Sequence, residues 1–135
     1  MAVTYPSGRI VTSERDAAGN VNAIRSVYQG QTSIVAESIA RLPFGPPTAM
    51  TLGNGLSVAS TYDQLYRLTS IQAGGLMHRS YSYNAISQIT AIADQLASAK
   101  SQTFAYDEAG RLLSAQGAYG AIGYTYDEAG NRLTS

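Results

Sequence analysis

The chain ends with YTYDEAGNRLTS (Tyr124–Ser135), and a near copy, FAYDEAGRLLSA (Phe104–Ala115), lies just upstream. In both segments the tetrad Asp-Glu-Ala-Gly follows a tyrosine. An Asp at the first position of a type I turn accepts a backbone N–H with its own carboxylate. A Gly at the fourth position adopts the left-handed conformation that ends such a hairpin loop in a G1 bulge. Each copy therefore predicts a β-hairpin.

Weaker copies of the same turn recur along the chain. The residues that we assign to the repeated turns are Asp16 and Gly19, then Tyr62 and Asp63, Tyr83 and Asn84, Tyr106, Asp107 and Gly110, and finally Tyr126, Asp127 and Gly130. Tyr66 and Ser87 stand where the other copies have Gly. Because a positive φ costs a non-glycine residue about 1 kcal/mol, we expect these two turns to have another geometry.

The residues that flank the turns have the pattern of strands. Before three of the turns two aromatic residues lie two positions apart and so share one face: Tyr81 and Tyr83, Phe104 and Tyr106, and Tyr124 and Tyr126. After the turns, apolar residues recur two and five positions beyond the fourth turn residue, as at Val21 and Ile24. These two offsets cannot share a face in a regular strand, so either a bulge or a strand that is apolar on both faces is required. Arg132 replaces the apolar residue of the last copy.

Three other segments bear on the fold. Met50–Val58, with Gly53-Asn54-Gly55 at its centre, predicts another hairpin. Leu42–Pro47 has three prolines without a backbone N–H, which predicts a rigid extended crossing between strands. Ser33–Leu42 fits either a helix or a strand, and Ala91–Lys100 fits either a helix or a single turn or loop between hairpins.

The composition excludes several classes of function. The 135 residues are only 13% charged, with nine basic and nine acidic residues, so nothing indicates binding to nucleic acid. Cysteine is absent, which excludes disulfides and thiolate chemistry. No apolar run is long enough for a signal peptide or a membrane-spanning helix, so we expect no membrane insertion.

No catalytic, metal or cofactor site is predicted. His78 is the only histidine, and it lies in a segment that we expect to connect two hairpins. The carboxylate pairs Asp107-Glu108 and Asp127-Glu128 are neighbours in sequence, but alternate strand residues point apart and the Asp is already used by the turn. We therefore expect no enzymatic activity.

The paired tyrosines allow an alternative function. Tyr81, Tyr83, Tyr124 and Tyr126 could stack on sugar rings, which would suit a cell-surface carbohydrate-binding or adhesion module. Because these tyrosines recur in phase with the turns, cross-strand packing explains them better.

The repeats resemble a known family. Tyr106–Leu112 is similar to the YD repeat of bacterial RHS proteins, which is also found in teneurins and in the shell components of insecticidal toxin complexes. Tyr5–Arg9 followed by Arg15–Gly19, and Leu42–Pro46 leading to Gly53–Leu56 and Thr61–Asp63, resemble RHS core sequence as well. The resemblance covers nearly the whole chain.

The resemblance implies an all-β fold, an array of antiparallel hairpins that forms a curved, spiralling sheet as part of a hollow shell. In the family this shell encloses a C-terminal toxin domain, and the protein is exported or displayed on the bacterial surface. The partners implied are the neighbouring repeats of the shell and the enclosed toxin. The family's self-cleavage region with its Asp-Pro motif is missing from this sequence, so self-cleavage is not assigned.

Residues 1–135 are therefore expected to form a single array of about six hairpins, truncated at both ends relative to a full shell. Its expected role is structural. Open sheet edges should cause self-association of the isolated chain.

Overall fold

The computed structural model describes residues 1–43 and 45–134, and nearly all of its regular structure is β-strand. The strands are β1 (Ala2–Thr4), β2 (Ile10–Arg15), β3 (Val21–Tyr28), β4 (Gln31–Arg41), β5 (Pro47–Leu52), β6 (Ser57–Tyr62), β7 (Leu68–Ala73), β8 (Met77–Tyr83), β9 (Ile89–Asp94), β10 (Gln102–Tyr106), β11 (Leu112–Gly117), β12 (Gly120–Gly123), β13 (Thr125–Tyr126) and β14 (Arg132–Thr134). A single 3₁₀ turn spans Ser98–Lys100 within the described residues. The predicted all-β class is confirmed.

The strands follow their sequence order in space. Strands β1 to β12 form one sheet in which each strand is hydrogen-bonded to the next, and β13 and β14 pair separately. The chain divides into two compact units. Unit 1 contains Met1–Thr61 and Gln72–Gly75, and unit 2 contains Tyr62–Ile71 and Leu76–Ser135.

The repeated turns share one backbone geometry. In the last of them, the N–H of Asp127 donates to the carbonyl of Asn131 and the N–H of Gly130 donates to the carbonyl of Asp127, both at 3.0 Å. The turns that begin at Asp16, Asp63, Asn84 and Asp107 have the same two hydrogen bonds, at 2.9–3.1 Å. The hairpins predicted from the tetrad are therefore present.

The fourth residue of each turn has a positive φ, including the two that are not glycine. Tyr66 has a φ of 61° and Ser87 a φ of 67°, beside 81° at Gly110. The expectation of another geometry for these two turns was wrong. The hydrogen bonds of the turn outweigh the local strain of a side chain in this region, which is about 1 kcal/mol.

A bulge after the turns at Asp16, Asn84 and Asp107 brings the two apolar positions onto one face. Tyr106 pairs with Leu112 and Phe104 pairs with Ala115, so Leu113 is the extra residue of the bulge. Because Phe104 and Tyr106 share a face, Leu112 and Ala115 share it with them. The same bulge follows the Asn84 turn, where Tyr83 pairs with Ile89 and Tyr81 pairs with Ile92. It also follows the Asp16 turn, where Arg15 pairs with Val21 and Ser13 pairs with Ile24. Of the two alternatives that the sequence left open, the bulge is the one observed.

The predicted crossing at Leu42–Pro47 is instead a hairpin turn. The N–H of Leu42 donates to the carbonyl of Pro46 at 3.2 Å, and the N–H of Gly45 donates to the carbonyl of Leu42 at 3.0 Å. The prolines do not prevent this turn, because the N–H groups that close it belong to other residues. Pro47 is the first residue of β5, where a strand tolerates proline. Phe44 lies outside the described residues.

Of the other ambiguous segments, Ser33–Leu42 is almost entirely β-strand, whereas Ala91–Lys100 is a strand end followed by a connection with the 3₁₀ turn Ser98–Lys100. Residues 33–41 belong to β4, and residues 91–94 belong to β9. The hairpin predicted at Met50–Val58 is present as β5 and β6, in which Met50 pairs with Val58. His78 lies within β8 rather than in a connection.

Few described side chains are buried. The buried hydrophobic residues are Ala23, Ala36 and Ala115, with exposed fractions of 5–6%, and no large side chain among the described residues is completely buried. Leu65 and Ile86, at the tips of two turns, are 69% and 67% exposed. The described strands are therefore held mainly by contacts with their neighbours rather than by a thick core.

The common turn geometry can be tested at Gly19. Its φ is +83° and a Cβ there would meet nothing within 4 Å, so Gly19→Ala should cost about 1 kcal/mol of unfolding free energy through backbone strain alone. Gly123 also has open space around a Cβ, but it lies in β12 without a positive φ. Gly123→Ala should therefore not destabilise the chain. Urea unfolding followed by circular dichroism measures both, and equal effects would contradict this account.

The sheet order also predicts self-association. Strands β1 and β12 each have one neighbour in the twelve-stranded sheet, and an unpaired strand edge is a template for pairing with another chain. In size-exclusion chromatography with light scattering, we expect a mass above 14.3 kDa that rises with concentration. Val3→Lys, which adds a charge to the exposed β1, should lower this association. A mass that stays at 14.3 kDa at every concentration would refute the predicted self-association.

Candidate functional site: the turn row

The four turns of unit 2 lie side by side in a series that we call the turn row. It consists of Asp63–Tyr66, Asn84–Ser87, Asp107–Gly110 and Asp127–Gly130, each with the residue that follows it: Arg67, Gln88, Arg111 and Asn131. This set contains the predicted Asp63, Asn84, Asp107, Gly110, Asp127 and Gly130, and the predicted tyrosines Tyr62, Tyr83, Tyr106 and Tyr126 are the strand residues immediately before the four turns. The predicted Asp16 and Gly19 form the equivalent turn of unit 1.

The first residue of each turn caps its own backbone. Oδ1 of Asp63 accepts the N–H groups of Leu65 and Arg67 at 2.9 and 3.0 Å. Oδ1 of Asn84 accepts those of Ile86 and Gln88 at 3.1 and 2.9 Å. An amide oxygen therefore performs this task as well as a carboxylate does. At Asp63, Asp107 and Asp127 the second carboxylate oxygen has a further contact.

That further contact is made by the residue after the turn. Nε of Arg67 donates to Oδ2 of Asp63, and Nε of Arg111 donates to Oδ2 of Asp107, both at 2.6 Å. A charge-assisted hydrogen bond of this kind is short and strongly oriented. It fixes each guanidinium at the side of its own turn, from where the side chain extends to the next hairpin.

The guanidinium groups then contact the following hairpin. Nη1 of Arg67 donates to the carbonyl of Asn84 at 3.4 Å and to Oγ of Ser87 at 3.2 Å. Nη1 of Arg111 donates to the carbonyl of Asp127 at 3.5 Å. Consecutive turns of the row are therefore connected through the side chain that follows each turn.

The tyrosine before each turn completes this connection. The hydroxyl groups of Tyr83, Tyr106 and Tyr126 each donate at 2.8 Å to a carbonyl of the preceding hairpin. These carbonyls belong to Leu68, Ile89 and Leu112, which occupy the same position of the repeat. The guanidinium of Arg67 lies 4.7 Å from the centre of the Tyr83 ring, and Arg111 lies at the same distance from Tyr126. At both positions the ring faces a cation.

The hydrogen bonds of the turns lower the pKa of their carboxyl groups. At Asp107 the chief cause is the hydrogen bond from the backbone N–H of Arg111, which partial burial opposes. At Asp127 the side chain and backbone of Asn131 keep the pKa below its ordinary value. Partial burial acts to raise the pKa of Asp63, but the hydrogen bonds from Arg67 and Leu65 outweigh it and the net shift is downward. These carboxyl groups are held in their charged form.

The four tyrosines considered for glycan binding are half-buried, and three have contacts that bear on this role. Tyr83 and Tyr126 use both the hydroxyl and a ring face within the turn row. Tyr124 lies under the guanidinium of Arg132, 5.6 Å from its ring centre. Tyr81 lies in β8 opposite Ile92. Arg132 stands at the repeat position that Leu112 occupies in the preceding copy, and its guanidinium contacts the ring of Tyr124.

Other kinds of site are not indicated by the residues that the structure describes. No group of three or more histidine, cysteine or acidic residues among them is placed to hold a metal ion. Within those same ranges no helix is long and apolar enough to span a bilayer. The Glu108 side chain, beside Asp107, is exposed and does not form a carboxylate pair with it in the turn.

Sequence reasoning missed the role of the residue after the turn. A polar side chain with a long reach follows the fourth turn residue at Arg67, Gln88 and Arg111, and this recurrence was available in the sequence. Arg9 has the same position after the turn Tyr5–Gly8 in unit 1, and its guanidinium lies 5.1 Å from the Tyr28 ring centre. An alignment of the repeats on this position would have indicated a contact between hairpins.

The charge of Asp107 should make stability depend on pH. Its pKa in the folded chain lies below the unfolded value of about 3.9, so its contribution is present at pH 7 and is lost as the pH falls through the folded pKa. Asp107→Asn should keep the turn, as Asn84 does, and lose the ion pair with Arg111. Wild type should therefore exceed Asp107→Asn in unfolding free energy at pH 7, and the difference should be smaller at pH 3.

The matched control is Glu108→Gln, which removes the same charge from the neighbouring exposed residue. It should leave the unfolding free energy nearly unchanged at both pH values. Urea unfolding at pH 7 and pH 3 provides the comparison. A difference between wild type and Asp107→Asn that stays constant with pH would refute the role given to the carboxylate.

Solved structures with the same arrangement of strands exist. The structure of the Photorhabdus luminescens Tc holotoxin pore with a TccC3 mutation matches 98% of this chain with a TM-score of 0.85 and 19% sequence identity. The crystal structure of TcdB2-TccC3 without the hypervariable C-terminal region matches 94% with a TM-score of 0.83 and 20% identity. The crystal structure of TcdB2-TccC3-Cdc42 also matches 94%, with a TM-score of 0.82 and 19% identity.

In each of these comparisons the chain spans 8% of the length of the larger protein. No protein-family model matches the sequence, and no curated protein sequence matches it. The chain therefore has the fold of a segment of these Tc toxin proteins, which confirms at the level of the fold the resemblance that its Tyr-Asp turns indicated.

Proposed function

We propose that this chain is a structural segment of an RHS-type shell and has no chemistry of its own. The observation that carries the proposal is the connection between consecutive hairpins of unit 2. Three tyrosine hydroxyl groups donate at the same distance to equivalent carbonyls of the preceding hairpin. The polar side chains that a binding site would offer to a ligand are here used to connect one hairpin to the next.

The likeness to the Tc toxin structures supports the same role. Those proteins carry this arrangement of strands as a small part of a much longer chain. In a longer chain of this type, residues 1–135 would be one array of repeats whose partners are the adjoining repeats and an enclosed toxin domain. The protein would then be exported or displayed on the bacterial surface, as the resemblance implies.

Exposed apolar side chains agree with a part that lies within a larger assembly. Leu65, Leu76 and Ile86 are each more than two-thirds exposed. Scattered single residues of this kind are ordinary on protein surfaces, but two of these lie at tips of adjacent turns in the row. Adjoining parts of a shell would cover them.

The alternative is carbohydrate binding by the tyrosines. It requires ring faces that are free to stack on a sugar. The faces of Tyr83 and Tyr126 that meet Arg67 and Arg111 are already occupied by a guanidinium, and their hydroxyl groups are bound to backbone. Tyr81 remains the better candidate for this second function, and Tyr124 has a guanidinium over its ring but no hydroxyl bond to backbone among the described residues of the turn row.

Removal of single hydroxyl groups tests the structural role. Tyr83→Phe and Tyr126→Phe keep the ring and lose one hydrogen bond each, so each should lower the unfolding free energy by about 0.5–1.5 kcal/mol. Tyr119 is 51% exposed and makes no such bond, so Tyr119→Phe is the matched control and should be neutral. Thermal and urea unfolding measure the three variants.

A glycan array separates the two functions. The structural role predicts no binding by the wild-type chain. Specific glycan binding that disappears in Tyr81→Ala or Tyr124→Ala, while the circular dichroism spectrum and the unfolding free energy are retained, would overturn the proposal in favour of adhesion. If neither Tyr83→Phe nor Tyr126→Phe lowers the unfolding free energy, the tyrosine hydroxyl bonds do not hold the hairpins together and the structural proposal loses its support.

A further inference from the structure

The connections between consecutive hairpins of the turn row are not equivalent. Arg67 and Arg111 each place a cation over the next tyrosine and pair with an aspartate of their own turn. At the intermediate connection the corresponding residue is Gln88. Its Nε2 donates to the carbonyl of Gly110 at 2.8 Å, and its Oε1 accepts from Nδ2 of Asn84 at 2.8 Å. This connection has neither an ion pair nor a cation over Tyr106.

The backbone pairing is also short at this point. Between β9 and β10 only Ile92 pairs with Gln102 and Ala91 with Thr103. On its other side β9 forms five pairs with β8, the first between Arg79 and Asp94 and the last between Tyr83 and Ile89. On its other side β10 forms four pairs with β11, the first between Thr103 and Gln116 and the last between Tyr106 and Leu112. The β9–β10 boundary is therefore held by fewer interstrand contacts than the boundary on either side of it.

The chain leaves the β9–β10 ladder early because its next residues bond elsewhere. The N–H of Gln95 donates to the carbonyl of His78 in β8 at 2.8 Å, and its Nε2 donates to Oγ of Ser80 at 3.2 Å. The N–H of Asp94 donates to Oγ of Ser101 at 3.1 Å. The connection from β9 to β10 is thus attached to β8 through Gln95 and to β9 through Asp94, and the Asp94–Ser101 bond adds one contact between β9 and the start of β10.

From these three observations we propose that the β9–β10 boundary is an opening point built into unit 2. Residues 102–126 can separate there from residues 77–94 at a lower cost than at the neighbouring boundaries. A purely rigid array would have equal connections, so this inference goes beyond the structural role proposed above. Local opening of this kind is a normal property of the least stable part of a folded chain.

Hydrogen exchange of the 135-residue chain, followed by NMR at single-residue resolution, tests the opening point. Amides of an antiparallel strand alternate between its two neighbours, so each strand carries its own control. In β10, the amides that donate towards β9 should exchange about tenfold faster than the amides that donate towards β11. In β9, the amides that donate towards β10 should exchange faster than the amides that donate towards β8. Equal protection on the two sides of both strands would overturn the proposal.

A double variant converts the weak connection into the strong form. Asn84→Asp with Gln88→Arg reproduces the Asp63–Arg67 and Asp107–Arg111 pairs and places a guanidinium over Tyr106. Exchange across β9–β10 should become about threefold to tenfold slower, as expected for an ion pair combined with a cation–π contact. The single change Gln88→Arg without its aspartate should give less protection. No change in the double variant would refute the role of Gln88.

The converse variant is Asp107→Asn with Arg111→Gln, which gives the third connection the neutral form. It should accelerate exchange of the Tyr124 amide, which donates to the carbonyl of Leu113 at 2.8 Å, and should leave exchange across β9–β10 unchanged. If it accelerates both boundaries equally, the connections act as one unit and the opening point is refuted. The Tyr83→Phe and Tyr126→Phe measurements do not address this boundary, so the two proposals can fail separately.

Discussion

The hydrogen bonds that an aspartate or asparagine side chain makes within its own turn are the constraint on which this fold depends. The oxygen of Asp63 or Asn84 takes two backbone N–H groups that the short loop would otherwise leave without a partner. That arrangement reverses the chain at a fixed residue and thereby fixes the register between the strand before the turn and the strand after it. The turn is retained even at Tyr66 and Ser87, where the positive φ is unfavourable for the side chain.

A sheet with so little buried core needs other sources of stability. The buried hydrophobic residues of the described chain are alanines, which contribute little apolar area. Hydrogen-bonded ladders and repeated contacts between neighbours take over this role, as they do in other repeat proteins. Arg67 and Arg111 are central in unit 2, because each pairs with the aspartate of its own turn and lies over the tyrosine ring of the next hairpin. Differences at the position after each turn, arginine or glutamine, therefore change how firmly adjacent hairpins are held.

The turns, the strands and the shared aromatic face could be predicted from local sequence because their causes are local. The tetrad at Asp107–Gly110 determines its hairpin through groups at most four residues apart, and the alternation of Phe104 and Tyr106 follows from strand geometry. The turn at Leu42–Gly45 was not foreseen, because counting prolines in a segment does not show which of its remaining N–H groups close a turn. The geometry of Tyr66 and Ser87 was also missed, since the strain of one residue was weighed without the contacts that the rest of the turn makes.

The sequence by itself determined that this protein is an all-β array of hairpins, where most of its turns lie, and that its composition does not suit nucleic-acid binding or cysteine chemistry. Only the tertiary structure decided between a bulge and a two-faced strand, and only it showed which carbonyl each tyrosine hydroxyl reaches. Those contacts join residues 14–17 positions apart in neighbouring hairpins, such as Tyr126 and Leu112. Their geometry depends on strand register and sheet twist, which arise from all the hairpins together and are not written in any one segment.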